Sequence, residues 1–277
     1  MERPALYVVA TPIGNRADLS ERAADTLRAV DRIAAEDTRV SGPFLRDLGA
    51  SAPLVSLHEH NELDRIPVLL DRLGQGEAVA LVSDAGTPLI SDPGFALVRA
   101  VRDVGHPVYT VPGACAVIAA LSISGLPTDQ FRFAGFVAPK AAGRRRQMAQ
   151  LTGTPATLVF YASKRQLGDA LAAAAEVLGE SRSAVIAREL TKLHETVHTG
   201  TLAELAQLWP DIEQRGEWVL LIEGASDVQA DAAETRRVMS LLLERVSLKD
   251  AAALTARVLG VPKREAYAIG LSLSKDG

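Results

Sequence analysis

The sequence predicts an α/β protein in which a parallel-sheet domain comes first, a mixed-sheet domain second and a small helical appendage last. Three observations predict it. Short apolar runs alternate with helix-like segments over about the first 110 residues, as in parallel sheets covered on both faces. The runs of the second half are more widely spaced and carry β-branched pairs. After Gly224 the composition turns to Ser, Asp, Gln and Ala before three short helical segments. With 277 residues, 48% of them hydrophobic, the chain is long enough for two domains of ordinary size with real cores.

In chain order, Leu6 to Ala10 reads as a buried strand, followed by a turn at Thr11-Pro12-Ile13-Gly14-Asn15. A helix then runs from about Leu19 to Val30, with Asp18 and Glu21 placed as a capping box. Arg32 to Ala35 is a second strand ending in Glu36-Asp37-Thr38-Arg39, and Phe44 to Leu48 a brief helix stopped by Gly49. Leu54 to Leu57 is a strand, and Asn61 to Leu73 a helix that must tolerate Pro67. Ala78 to Val82, Phe95 to Val104 and Val108 to Val111 complete a domain over residues 1–113. A small-residue helix from Ala114 to Ser124 opens the second domain, residues 114–225. Its strands are expected at Phe131 to Val137, Thr157 to Tyr161, Ala184 to Ala187, Glu195 to Thr199 and Trp218 to Glu223. Its helices are expected at Arg144 to Leu151, Gln166 to Leu178 and Leu202 to Leu208. Within the tail, residues 226–277, Ser247 to Leu259 and Pro262 to Leu273 are joined by Gly260-Val261 in the manner of a helix-turn-helix. A plain helical appendage and a nucleic-acid docking element both fit this pattern.

Composition excludes several function classes. A net charge of −4 rules out an all-round basic coat, so contact with nucleic acid has to come from local patches. No apolar run approaches the roughly 20 residues of a membrane span. The opening Met1-Glu2-Arg3-Pro4 leads into a strand without a signal-peptide pattern, so the expected location is cytoplasmic. One cysteine forms no internal disulfide. His194-Glu195-Thr196-Val197-His198 spells the H-E-x-x-H zinc motif, yet that chemistry needs both histidines on one helix face, and Thr196, Val197 and Thr199 favour a strand; no metal is expected. His58 and His60 read as a polar strand end, and Cys115 as a small packing residue. G-x-G-x-x-G and P-loop signatures are absent.

The stretch Ser83-Asp-Ala-Gly-Thr-Pro-Leu-Ile-Ser-Asp-Pro-Gly94 follows a strand and precedes a helix, where open α/β sheets bind ligands. Charged groups also gather at other strand ends: Glu36, Asp37 and Arg39, then Arg188 and Glu189. Lys140 with Arg144, Arg145 and Arg146 is the densest positive cluster, read either as a phosphate clamp or as a solvated helix face.

Together with Thr-Pro-Ile-Gly-Asn (11–15), Ala-Glu-Asp-Thr-Arg (35–39), His-x-His-Asn (58–61), Val-Pro-Gly (111–113), Ser-Gly-Leu-Pro-Thr (124–128), Gly-Arg-Arg (143–145) and Arg-Glu-Leu-Thr-Lys (188–192), this ordered set closely resembles the bacterial 16S ribosomal RNA (cytidine-2′-O)-methyltransferases of the tetrapyrrole-methylase superfamily. The resemblance implies a two-domain tetrapyrrole-methylase-like fold, a homodimer, and S-adenosylmethionine as cofactor. It implies methylation of a ribose 2′-hydroxyl in 16S rRNA within the small ribosomal subunit. By the same resemblance Pro12, Gly14, Asp84, Ala85, Gly86, Thr87, Pro88, Gly113, Cys115, Ala116, Tyr161 and Ala187 bind the cofactor. The chain departs from the family pattern at Ala114, Cys115, Ala162 and Lys164.

A sulfonium methyl is already electrophilic, so the protein's task is alignment and removal of the hydroxyl proton. Glu36, Asp37, Glu189 and Lys164 are the candidate catalytic residues, with Arg39, Arg144, Arg145, Arg146 and Arg188 positioning phosphates. The sequence does not choose among the four. A small-molecule methyltransferase of tetrapyrrole type and a non-catalytic ribosome-assembly protein are the alternatives.

Overall fold

Residues that alternate between two buried faces decide the first half of the architecture. The computed structural model describes residues 1–225 and 232–273. It sets β1 (Ala5–Val9), β2 (Arg32–Ala35), β3 (Leu54–Ser56), β4 (Ala78–Val82) and β5 (Val108–Val111) in one parallel sheet of order β3-β2-β4-β1-β5. The connecting helices are α1 (Glu21–Ala29), α2 (Thr38–Asp47), α3 (Glu62–Gly74) and α4 (Phe95–Asp103). Tyr7, Val9, Ile33 and Ala80 pack with Leu27 of α1 and Leu45 of α2. Their sequence neighbours Leu6, Ala34, Val79 and Leu81 pack with Leu69 and Leu73 of α3 and with Leu97 and Val101 of α4. The period of two along each strand thus feeds two cores.

In the second half, α5 (Ala116–Ser124) leads into β6 (Phe131–Phe136), α6 (Ala141–Ala149), β7 (Thr157–Ser163), α7 (Lys164–Leu178), β8 (Ser183–Arg188), β9 (Thr196–Thr201), α8 (Leu202–Leu208) and β10 (Glu217–Ile222). The sheet order is β6-β7-β10-β8-β9. Only β6 and β7 run parallel; the other neighbours are antiparallel, so the sheet is mixed. Val117 and Leu121 of α5 cover one face with Val159, Val185 and Leu221. Met148, Leu167, Leu171 and Leu205 from α6, α7 and α8 cover the other. Ile13, from the loop after β1, joins the α5 side and ties the first sheet's loop to the second sheet.

Several helix starts differ from the sequence expectation, α6 by three residues, and two of the differences are set by caps. Ser20, not Asp18, caps α1 by accepting the Ala23 N–H, because Arg16–Asp18 closes into its own short turn capped by Asn15. The helix expected from Phe44 begins at Thr38: the Asp37 carboxylate accepts the Arg39 N–H at 2.8 Å and starts the helix before Pro43.

Residues 1–223 form one compact unit that holds both sheets, so the boundary expected at 113/114 falls between sheets inside it. Residues 224–277 form the second unit. There α9 (Ala232–Leu243), α10 (Leu248–Leu259) and α11 (Lys263–Leu273) enclose a small core of Met239, Ala251, Ala252, Val261 and Ala266. Ser247 caps α10 and Gly260, at φ 70°, ends it in the left-handed region, which supplies the helix-turn-helix corner. Most of the expected linker through Ala233 lies outside the described residues.

Candidate functional site

Loops at the carboxyl ends of the first sheet's strands meet the second sheet around a cavity of about 480 Å³, a size typical of small-molecule sites. The first sheet contributes Ile13 after β1, Glu36 after β2, residues 84–87 and 90–92 after β4, and Cys115 and Ala116 entering α5. The second sheet contributes Phe136, Tyr161, Ala162 and Ser163, then Leu190 and residues 216–219.

Backbone pairing fixes the loop after β4. Gly86 accepts the Thr11 N–H at 2.9 Å and donates its own N–H to the Thr11 carbonyl at 3.1 Å, while Thr87 Oγ1 donates to the Ala114 carbonyl at 3.0 Å. Three strand-end loops are thereby joined. Gly86 needs its glycine, with φ +85° and only 3.2 Å between an added Cβ and Ile13 Cγ2. Farther on, Leu89 and Ser91 both sit at φ 74°, in a region that costs an ordinary residue about 1–3 kcal/mol and concentrates at functional sites.

The cavity lining combines apolar and acidic side chains. Phe136 and Tyr161 meet edge to face with centroids 5.4 Å apart, and Leu190 and Val219 add to the apolar lining. Burial pushes the Tyr161 phenol up, so it stays protonated; its oxygen accepts the Val117 N–H, at a helix start where the Cys115 side chain makes no cap. Among the acidic groups, burial and then the charge of Glu36 push Asp92 up to about 6, against the hydrogen bond it accepts from the Ser83 hydroxyl. Burial, followed by the Asp84 charge, raises Glu36 as well. Asp84 Oδ1 accepts the Asp37 N–H at 3.1 Å and the Ser41 hydroxyl at 3.4 Å.

Of the residues the sequence singles out, Glu36, Asp84, Ala85, Gly86, Thr87, Cys115, Ala116 and Tyr161 line this cavity. Pro12 and Gly14 line a neighbouring cavity of about 160 Å³ with Arg16, Ser41 and Phe44, and Asp84 borders both. Pro88 and Ala187 are buried, Ala187 in the α5-side core of the second sheet, and Gly113 packs on Ala10. Asp37 is held at about 2 by the Arg39 guanidinium, whose side chain is otherwise 88% exposed. Glu189 accepts from Lys192 Nζ and from the Glu217 N–H, both at 2.9 Å. Lys164 is exposed at the first position of α7. Arg188 donates to the Arg215 carbonyl at 2.6 Å and joins two loops.

The arginine run splits by helix geometry, as 100° steps around α6 require. Arg144 turns inward, 6% exposed, where it donates to the Pro139 carbonyl and to Asp169. That is a structural ion pair, so the surface cluster reduces to the exposed Lys140 and Arg146 and to Arg145, which is paired with Glu176. Single-letter runs carry no phase information, which is why the sequence grouped all three. The sequence reading missed Asp92, Phe136 and Trp218. For Asp92 a signal was present, since it is the second aspartate of the 83–94 stretch; Phe136 and Trp218 arrive through sheet pairing that no local pattern reveals. His198 lies in β9 and His194 precedes it, so the H-E-x-x-H letters are not on a helix, and among the described residues no three metal-binding side chains converge.

Comparison with known proteins adds the family. Residues 5–206 match the tetrapyrrole (corrin/porphyrin) methylases, and residues 229–274 match the RsmI C-terminal HTH domain. The chain is 48% identical over 269 residues to the ribosomal RNA small subunit methyltransferase I of Escherichia coli O157:H7, covering 96% of this chain and 94% of that protein. It is 48% identical over 273 residues to the protein of the same name from Pseudomonas aeruginosa, covering 96% of each. Among solved structures, the methyltransferase CobJ aligns with a TM-score of 0.59 at 19% identity over 79% of this chain and 94% of that one. Uroporphyrin-III-C-methyltransferase from Thermus thermophilus aligns at 0.57 and 21% over 80% and 94%. The solved structures share the fold alone, whereas the curated relatives share nearly half their residues from end to end. The chain belongs to the tetrapyrrole (corrin/porphyrin) methylase family, among the ribosomal RNA small subunit methyltransferases I.

Proposed function

We propose that the protein is an S-adenosylmethionine-dependent methyltransferase that acts on the ribose 2′-oxygen of a cytidine in the decoding region of 16S rRNA, in the cytoplasm and as a homodimer. The observation that carries the reading is the polarity of the large cavity. A ligand with apolar parts and a cationic centre fits a cavity lined both by Phe136, Tyr161, Leu190 and Val219 and by Glu36, Asp84 and Asp92. When bound, the cofactor supplies an electrophilic methyl group on a cationic sulfur.

The chain's own residues do the rest. The Asp84 to Thr87 loop and the start of α5 hold the donor, the aromatic wall excludes water, and the acidic groups accept a proton from the incoming hydroxyl. Ile118 and Ile123 on α5, 51% and 45% exposed, support a dimer, which light scattering tests. Calorimetry with S-adenosylmethionine, followed by transfer of its labelled methyl group to 30S subunits, tests the function. Binding with incorporation into RNA is expected; binding without incorporation returns the protein to the small-molecule methyltransferases.

The arginine run gives a second test. Arg146→Ala is expected to weaken RNA binding and lower the slope of log affinity against log salt by roughly 0.7–0.9, the loss of one phosphate contact. Arg144→Ala is expected instead to reduce stability by about 1.5–3 kcal/mol, the range for charged hydrogen bonds lost in a buried setting, with the salt slope unchanged. Filter binding and urea unfolding separate the two.

A further inference from the structure

Where the second sheet meets the cavity, four cations are left without a counter-charge. β6 and β7 run parallel, with Phe136 opposite Tyr161, so both strands end at the cavity, which Phe136 and Ser163 line. α6 and α7 start from those ends. They carry Lys140 at the cap of α6, Arg146 farther along it, and Lys164 and Arg165 in the first turn of α7. All four are exposed, and none has an ion-pair partner among the described residues. The acids close by are already occupied: Asp169 by Arg144, Glu176 by Arg145, and Glu217, opposite Ser163 on β10, by Lys192. In a chain with a net charge of −4, this stretch of the rim is positive.

Hydrogen bonds beneath the patch hold it in shape. The Val137 N–H donates to the Tyr161 carbonyl at 2.8 Å, Gln147 accepts the Ala138 N–H at 3.1 Å, and the buried Arg144 donates to the Pro139 carbonyl at 2.8 Å. Gln166, in the first turn of α7, donates to the Val137 carbonyl at 3.3 Å and ties the two helix starts together. Positive charge at these places runs against helix electrostatics. The N-terminal end of a helix is the positive end of its dipole and favours anions, yet neither first turn holds an acidic residue. Lys140, Lys164 and Arg165 therefore weaken the free protein, which a role in folding does not explain, and an anion resting on them reverses the sign.

We infer that Lys140, Lys164 and Arg165 form the contact surface for the RNA backbone on the second sheet's side of the cavity, an assignment that rests on the function proposed above. They bind the phosphates beside the nucleotide that is methylated, and the track continues along α6 to Arg146. Phe136, 59% exposed, lines the cavity just before Lys140 and sets an aromatic ring beside the phosphates. Charge next to an aromatic surface is the combination that single-stranded nucleic acid binds. Lys164 thereby has a different part from the proton acceptor that the sequence allowed. As a phosphate contact it stays charged, so arginine can replace it, whereas a guanidinium keeps its proton and cannot replace a base. None of the three lines the cavity, so the cofactor site does not depend on them.

The test measures affinity for 30S subunits and for a single-stranded RNA oligonucleotide against salt, in Lys140→Ala, Lys164→Ala, Arg165→Ala, the triple variant and Lys164→Arg. Calorimetry of S-adenosylmethionine, melting temperature and kcat on saturating 30S subunits accompany it. Each alanine variant is expected to lower the slope of log affinity against log salt by about 0.7, and the triple variant by about 2. Affinity for S-adenosylmethionine should stay within about threefold of wild type, and melting temperatures should stay level or rise as cations leave the positive ends of two helices. Lys164→Arg should keep the wild-type slope and a kcat within about twofold. Overturning results are a triple-variant slope within about 0.3 of wild type, a loss of affinity accounted for by lower melting, or a Lys164→Arg kcat reduced more than about tenfold. A slope that falls on 30S subunits but not on the oligonucleotide would assign the patch to a ribosomal protein and also overturn it. Wild-type protein that leaves 30S RNA unmethylated overturns the parent reading; wild-type methylation with an unchanged slope in the triple variant overturns this assignment alone.

Discussion

Trp218→Ala is expected to destabilise the protein by about 3–5 kcal/mol, the cost of removing a large aromatic from a packed core. Trp218 is 2% exposed and meets Trp209 edge to face with centroids 5.0 Å apart. Its indole N–H donates to the Gln214 carbonyl at 3.2 Å, so truncation also strands an acceptor. Repacking is restricted. Trp209 already lies where a Cβ on Gly168 would come within 2.5 Å of its ring, so that ring is fixed against α7. Trp218 packs on the α6–α8 side of the second sheet while its neighbour Val219 on β10 borders the large cavity, so a shift of β10 should lower cofactor affinity together with the urea midpoint. A loss under about 1.5 kcal/mol in urea unfolding would show that Trp218 does not anchor this core.

Gly86→Val should have the second largest effect, and its main readout is cofactor binding. The left-handed backbone at φ +85° costs an L residue about 1–2 kcal/mol. Contact of the new side chain with Ile13, only 3.2 Å from the added Cβ, costs a further 1–3 kcal/mol or so. The loop can relieve this only by giving up the paired hydrogen bonds between Gly86 and Thr11, which hold two cavity walls together. Affinity for S-adenosylmethionine is therefore expected to drop at least about tenfold, equivalent to about 1.4 kcal/mol. Unchanged calorimetric affinity would mean that this loop does not shape the cofactor site.

Much of the fold was legible because local patterns and tertiary structure agree. Ala78 to Val82 was read as a strand and is one, buried throughout because both faces of β4 are covered by helices. The alternation of strand and helix foretold the parallel sheet, and the β-branched second half foretold the mixed one. Helix starts were less legible, because Asp18, Ser20 and Asp37 are all acceptable caps and the choice depends on which neighbouring N–H is left free. In the site, the 83–94 stretch was found by its glycine and proline content. The surroundings of its two aspartates were not, because what distinguishes the exposed Asp84, held by the Asp37 N–H and the Ser41 hydroxyl, from the half-buried Asp92 is set by tertiary contacts. The arginine run shows the same limit: Arg144 and Arg146 look equivalent in sequence, yet one is buried against Asp169 and the other is exposed.

The central claim is that the cavity between the two sheets delivers a methyl group to a ribose oxygen of 16S rRNA. The most direct measurement is to incubate the protein with labelled S-adenosylmethionine and 30S subunits, digest the RNA to nucleosides, and identify the labelled product by mass spectrometry. The account predicts 2′-O-methylcytidine from a single position in the decoding region. Label on a base, on protein, or on no RNA at all would contradict it.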